Sequence, residues 1–369
     1  MKKLVIHPGF HKSGTTALQQ SLHANRDQLK SYGLFYPFPY HKAHHRLAWS
    51  LSGQVWGWRN RGGSGESPRV WAKAVRSINR SSSQNIIISS EFFSELDLEK
   101  IKQIKNEIKN HETQVLFTLR PLAKLLSSSY QQYLKYGLKA EYEEWLHSIL
   151  DNPGESKLSP TFWRRHFHGK VISKWSEIFG SSNVTILIVD ESKPEFLFVE
   201  ANKFFELPAN TLKSEDSGLN RSMTTEEIAL LLELNKRFPK ERSWDEYQVF
   251  IRNGFIREIT DNSEVATGKE KLLTPKWAVD LANSLGAASK REILDLGVKV
   301  IGEIDSLDSS QVPTGLSQVP STIDISTVAT AMLSMDRHLT GHMPVTWLRR
   351  NLIYRIRRSI RRALSPKRG

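Results

Sequence analysis

The chain has 369 residues, enough to bury a full core as one large domain or two, and its 39% hydrophobic and 25% charged residues are an ordinary globular mix. It contains no cysteine, which excludes disulfides and thiolate metal sites. Of its net charge of +13, ten units follow Asp336, where no acidic residue remains, so residues 1–336 carry only +3 and lack the basic balance of a nucleic-acid-binding body.

Met1-Lys2-Lys3 leads into a short apolar strand, Leu4–His7, without the apolar core of a signal peptide, and no stretch approaches the ~20 residues of a membrane span. A cytoplasmic location is the expectation. Pro8-Gly9 ends the strand, a polar loop runs from Phe10 to Thr16, and helical residues occupy Thr16–Asn25. Strand, loop and helix N-terminus in that order gather backbone N–H groups, the hydroxyls of Ser13, Thr15 and Thr16, the turn residue Gly14 and the ammonium of Lys12 around one point. Such a cluster, with the helix dipole behind it, attracts a phosphate- or sulfate-like anion. The order K-S-G-T-T differs from the GxxxxGK[ST] of nucleoside triphosphatases, in which glycine precedes lysine.

Residues 36–70 are irregular and hold His41, His44, His45, Trp49, Trp56 and Trp58. A loop of this length is commonly functional. Its aromatics beside Arg46, Arg59 and Arg61 suit either a polar acceptor such as a saccharide or packing onto a sheet. No carboxylate follows the histidines at ligand spacing, so they read as a solvated cluster and no metal is expected.

A second strand, Ile86–Ser89, delivers Glu91, a carboxylate able to accept a proton from an attacking hydroxyl, or to cap the next helix or pair with a lysine. His11 is the other candidate base. After a helix over Leu98–Asn110, the strand Val115–Leu119 ends in Arg120, and the helix Leu122–Lys135 carries Ser128 eight residues further on. A guanidinium fork and a hydroxyl so placed can converge on one phosphate. Val171–Phe179 and Thr225–Phe238 read as helices and Val184–Val189 as a strand. Short buried strands alternating with helices predict an α/β fold, a P-loop-like doubly wound parallel sheet flanked by helices, with ligands beyond the carboxyl ends of the strands.

From Ser306 to Thr327 the composition is that of a linker. Beyond it Leu348, Leu352, Ile356 and Ile360 recur every four residues among arginines, a basic amphipathic helical tail suited to an anionic membrane surface or to acidic partners. The expected division is 1–305, a domain; 306–335, a linker; and 336–369, the tail.

Three segments carry a resemblance to a known family. Lys12-Ser13-Gly14-Thr15-Thr16, Arg120 with Ser128 inside LRPLAKLLSSSYQQ, and Lys174-Trp175-Ser176-Glu177-Ile178-Phe179-Gly180 before the strand Val184–Val189 resemble the sulfotransferases that use 3′-phosphoadenosine-5′-phosphosulfate (PAPS). The likeness spans about residues 1–190 and extends more weakly to 305 through Leu219-Asn220-Arg221-Ser222. It implies in-line sulfuryl transfer from PAPS without a metal. Lys12 would be catalytic, Lys12 to Thr16 would hold the 5′-phosphosulfate, and Arg120, Ser128 and Arg221 the 3′-phosphate. Glu91 would be the base, as in the bacterial, carbohydrate-sulfotransferase-like members. The acceptor would be a hydroxyl or amine of a saccharide, or of a glycolipid or polysaccharide precursor, reached at the inner face of a membrane. Two other readings stand beside it: a P-loop small-molecule kinase using ATP and Mg²⁺, and a non-catalytic membrane-surface binding module.

Overall fold

Six parallel strands form the centre of the molecule, in the order β2-β5-β1-β6-β7-β8. The computed structural model describes residues 2–38, 41–214, 221–261, 270–315, 317–326, 328–329, 332–333 and 345–364. Its strands are β1 (Lys3–His7), β2 (Leu34–Phe35), the hairpin β3 (Val55–Trp56) and β4 (Ser64–Gly65), β5 (Asn85–Ser89), β6 (Glu112–Leu119), β7 (Val184–Ile188) and β8 (Lys299–Ile301). The helices that position the cavity are α1 (Thr15–Ala24), α2 (Arg26–Ser31), α3 (His45–Ser52), α4 (Pro68–Arg80), α5 (Leu98–Glu107), α6 (Leu122–Leu134), α7 (Tyr142–Leu150), α8 (Phe162–His166) and α9 (His168–Phe179). Further along lie α10 (Phe196–Phe204), α11 (Thr225–Arg237), α12 (Trp244–Tyr247), α13 (Arg257–Asp261), α14 (Lys276–Asp295) and α15 (Val345–Leu364).

Strand alternation explains why both faces of the sheet are covered. Leu4, Ile6, Ile86, Ile88, Val115 and Phe117 point into one apolar cluster with Trp175, while Val5, Ile87, Leu116 and Leu187 point into another with Leu18 and Leu22 of α1. Near-continuous apolar runs are what a parallel sheet buried on both sides requires. A third cluster, built from α6, α7, α11 and α14 around Trp145, Tyr130 and Tyr247, forms a helical block beside the sheet. From β1 the chain goes to the edge strand β2, returns to lay β5 between β2 and β1, then crosses to the other side of β1 for β6. The opening loop sits at that reversal, where open α/β sheets leave a crevice.

The start of the Ser-, Thr- and Pro-rich stretch is held on the body, despite its linker composition. Leu307 is buried, and a Cβ on Gly286 of α14 would overlap its carbonyl oxygen, so the missing side chain makes room for this backbone. Lys290 pairs with Asp305 at 2.7 Å and Asp308 at 2.8 Å, and Ser317 Oγ bonds Glu143 at 3.0 Å. The packed chain therefore runs past the boundary expected at 305. On α15, Val345, Leu348, Leu352, Ile353, Tyr354 and Ile356 are exposed. Among the described residues no helix is long and apolar enough to cross a membrane.

Candidate active site

The loop between β1 and α1 is pinned from below. The Phe10 N–H donates to the Thr118 carbonyl on β6 at 3.1 Å. Ser13 Oγ lies 2.6 Å from the Phe10 carbonyl and 2.7 Å from that of Thr118, and Thr15 Oγ1 bonds the Phe10 carbonyl at 3.1 Å. These two hydroxyls are buried and face the sheet, which corrects the expectation that they reach an anion above the loop. The reason is local: the turn needs its inward carbonyls satisfied, and the first two hydroxyls do so. Thr16, by contrast, is exposed and lines the cavity.

The turn is tight. Gly9 and Gly14 have φ of 52° and 80°, and Lys12, which has a side chain, is held at φ 64°. A Cβ on Gly9 would come within 2.7 Å of Thr15 Oγ1. Gly14 supplies no side-chain cap to α1, so the first N–H groups of that helix are left for a ligand. Lys12 rises beside them into the cavity, where desolvation and the neighbouring Arg120 push its ammonium below the usual lysine range, against the pull of Glu91.

That cavity, of about 720 Å³, is of the size of a substrate site and brings together residues far apart in sequence. Lys12, Gly14, Thr15, Thr16, Arg120, Ser128, Arg221 and Glu91 all line it; Ser13 does not. Arg120 leaves the end of β6 and donates through Nη1 to the Lys12 carbonyl at 2.9 Å, while Nη2 pairs with Glu191 and Nε is buried without a partner. Ser128 Oγ donates to the Leu125 carbonyl at 3.0 Å. Arg221 spends its fork on Glu227, at 2.8 and 2.7 Å, and on the Ile259 carbonyl. Its guanidinium is thus a brace for the start of α11, while its Nε, like that of Arg120, is buried without a partner.

Glu91 lines the same cavity from the short turn after β5. Gln19 Nε2 reaches its Oε2 at 3.4 Å and His45 Nδ1 at 3.6 Å. Burial alone would raise this carboxyl, but His45, His11 and the Gln19 bond outweigh it and hold the group below the ordinary carboxylate range. His11 turns away from that role. Its Nε2 lies 3.0 Å from Oε1 of the buried Glu95, which also pairs with Arg165 at 2.9 Å, and burial with Arg165 lowers the imidazole.

Trp49, Trp56, Phe92 and Tyr136 form an aromatic wall of this cavity, with Phe92 edge-on to Trp49 at 5.0 Å and Trp56 edge-on to Tyr136 at 5.1 Å. Trp58 is not part of it: Arg61 stacks on it at 4.2 Å and donates to the Pro239 and Arg242 carbonyls, in a separate groove with Arg59. Arg46 is taken by Glu66 at 2.6 Å. The three histidines have separate fates. His41 is exposed; His44 is buried between the Ser89 N–H and the Pro37 carbonyl, and burial pushes it down to about 3; His45 faces the cavity. Among the described residues no three metal-ligating side chains gather.

Gln19, Glu95 and Arg165 escaped the sequence reading, and His45, read there as part of a solvated cluster, lines the cavity. Gln19 alone left a signal, four residues after Thr15 on the same face of α1.

No family model matches the chain, and no curated protein matches it. Among solved structures, a sulfotransferase from Alicyclobacillus acidocaldarius aligns over 64% of this chain and 92% of its own, with a TM-score of 0.39 and 12% identity.

Proposed function

We propose that this protein is a sulfotransferase that moves a sulfuryl group from PAPS to a hydroxyl or amine, by in-line transfer. One observation carries the reading: a single cavity holds Lys12 beside an uncapped helix N-terminus, a strand-end arginine with a buried unpartnered Nε, and a carboxylate beside aromatic rings. The first two groups suit the two anionic ends of an adenosine 3′,5′-bisphosphate, and the third suits an acceptor that must lose a proton.

Lys12 and the first N–H groups of α1 would hold the 5′-phosphosulfate, with the Thr16 hydroxyl at its rim. Lys12 would neutralise the oxygen that leaves sulfur, a preorganised electrostatic role. Arg120 and Ser128 would take the 3′-phosphate, and Arg120 would exchange Glu191 for it. Fixing both ends sets the angle of attack. The acceptor's proton would leave at the part of the cavity lined by Glu91 and His45. Planar aromatic walls and polar side chains suit a saccharide, and α15, with seven arginines, no acid and an exposed apolar face, suits the inner surface of a membrane bearing a lipid-linked precursor. In that division residues 1–305 catalyse and 336–369 localise.

Calorimetric binding of adenosine 3′,5′-bisphosphate, with ATP and Mg²⁺ as comparator, tests the reading on wild type and Arg120→Ala. Tight bisphosphate binding that collapses in the variant is expected. A preference for ATP would replace the reading with a kinase, and binding of neither nucleotide would leave a non-catalytic module.

A further inference from the structure

We infer that His45 is the residue that takes the acceptor's proton, with Glu91 as the group that positions its imidazole; this rests on the sulfuryl-transfer reading above. His45 opens α3, and the base of that helix is fixed to the end of β5. The His44 N–H donates to the Ser89 carbonyl at 2.8 Å, and the Ser89 N–H donates back to His44 Nδ1 at 3.0 Å. His45 is therefore held against the strand end that carries Glu91.

The two ring nitrogens of His45 meet different surroundings. Nδ1 lies 2.9 Å from Ser90 Oγ and 3.6 Å from Glu91 Oε2. Ser90 Oγ already accepts the Phe92 N–H at 3.3 Å, and the carboxylate beyond it is an acceptor. Of the two neighbours, the acceptor-only carboxylate favours a proton on Nδ1, which Ser90 Oγ can also accept through its second lone pair, and this leaves the ring's own lone pair on Nε2. Nε2 has no hydrogen-bond partner among the described residues, and the ring lines the cavity between Phe92 and Trp49, at 5.0 and 5.7 Å. Glu91 is the more enclosed of the two, 17% exposed against 31% for His45, and is engaged by Gln19 as well. A carboxylate shielded in this way supports a base better than it acts as one.

Other charged groups around the pair come from three elements. Lys12 and His11 on the opening loop and Arg165 on α8 each interact with the Glu91 carboxylate. On α3 itself His44 is buried and neutral, and Arg46 is paired with Glu66.

The step balances within the site. The acceptor O–H bond breaks to His45 Nε2, and the freed electron pair forms the new O–S bond. The S–O bond to the 5′-phosphate breaks, and its pair leaves on the bisphosphate beside Lys12. Water in place of the acceptor would yield sulfate by the same steps.

The test compares the full-length wild type with His45→Gln and Glu91→Gln. Release of adenosine 3′,5′-bisphosphate from PAPS, with water as acceptor, is followed between about pH 5 and 8, alongside bisphosphate affinity. Wild-type rates should rise across that range. In His45→Gln the rate should fall by about 10²- to 10⁴-fold and lose the rise, with affinity unchanged. A His45→Gln enzyme that keeps both rate and pH profile overturns the assignment. Nitrogen-15 spectra of the imidazole give a second readout that needs no turnover. The Nδ1–H tautomer in wild type, lost in Glu91→Gln, is expected, and an Nε2–H tautomer in wild type overturns it. Failure of the wild type to bind bisphosphate would instead remove the transfer reading, and the catalytic assignment with it.

Discussion

Arg120 donates to the main-chain carbonyl of Lys12 at 2.9 Å, so the guanidinium that closes β6 also fixes the backbone of the cation in the opening loop. Under the proposed transfer, this one side chain would couple the two ends of the donor. Lysine at 120 would keep the charge but lose the fork that serves a carbonyl and an anion together. Arg120→Lys should weaken bisphosphate binding by roughly tenfold or more, and slow turnover as well, because Lys12 loses its tether. Calorimetry and steady-state rates on the same preparation check both, and unchanged affinity would refute the pairing.

Glu191 occupies Arg120 in the free protein, and Lys124 lies 3.9 Å from the same carboxylate. A resident anion must be displaced before a phosphate can enter. Glu191→Gln should therefore tighten bisphosphate binding by about two- to tenfold. Weaker binding would mean that Glu191 belongs to the bound state instead.

Lys12 separates stability from chemistry. A non-glycine residue at φ 64° costs of order 1 kcal/mol. Lys12→Gly should raise the melting temperature by a few degrees yet cut turnover by about a hundredfold or more. Lys12→Ala should lose the same activity without the gain in stability. Thermal unfolding paired with rate measurement checks this, and near-normal rates in either variant would sink the role given to Lys12.

Buried histidines make the fold sensitive to acid. Burial pushes His7 to about 4 and His168 to about 3. Both folded values lie below the unfolded value near 6.5, so stability is full above that pH. As pH falls, the unfolded chain takes up protons that the folded one refuses, at about 1.4 kcal/mol per pH unit per group, until the folded value is reached. His168 packs on Phe10 at 4.5 Å with its Nε2 unpartnered, so His168→Phe removes one titrating group from apolar surroundings. Urea unfolding between pH 7 and 4.5 should show a shallower loss in the variant; an equal slope would contradict the assignment.

The terminal helix should bind anionic bilayers. Vesicles of phosphatidylglycerol and phosphatidylcholine should sediment the full chain, vesicles of phosphatidylcholine alone should not, and a chain ending at residue 344 should bind neither. Raised salt should weaken the interaction, since each arginine near the surface contributes about 1 kcal/mol. Binding that survives the truncation would place the contact elsewhere.

Much of the central sheet could be read from the chain because parallel strands buried on both faces leave unbroken apolar runs, as at Ile86–Ile88 and Val115–Phe117. The edge strands β2 and β8 span two and three residues, too short to show a period. The loop and Arg120 were visible because backbone geometry demands their order and spacing. Which way Ser13 turns was not, since that depends on the carbonyl of Thr118, 105 residues away. Glu191 at Arg120 and Glu95 at His11 were hidden for the same reason: ion pairs between distant segments leave no local pattern.

The aromatic wall comes from α3, the hairpin, the turn after β5 and, at Tyr136, the residues after α6, while Lys12, Arg120 and Ser128 come from the opening loop, the end of β6 and α6. The β3–β4 hairpin belongs to a two-stranded sheet of its own and shares no ladder with the central six strands. Substitutions at Trp49 or Trp56 can thus accumulate without disturbing the register that seats Lys12 and Arg120. Under the proposed transfer, the residues facing the acceptor are free to diverge while those facing the donor stay in register.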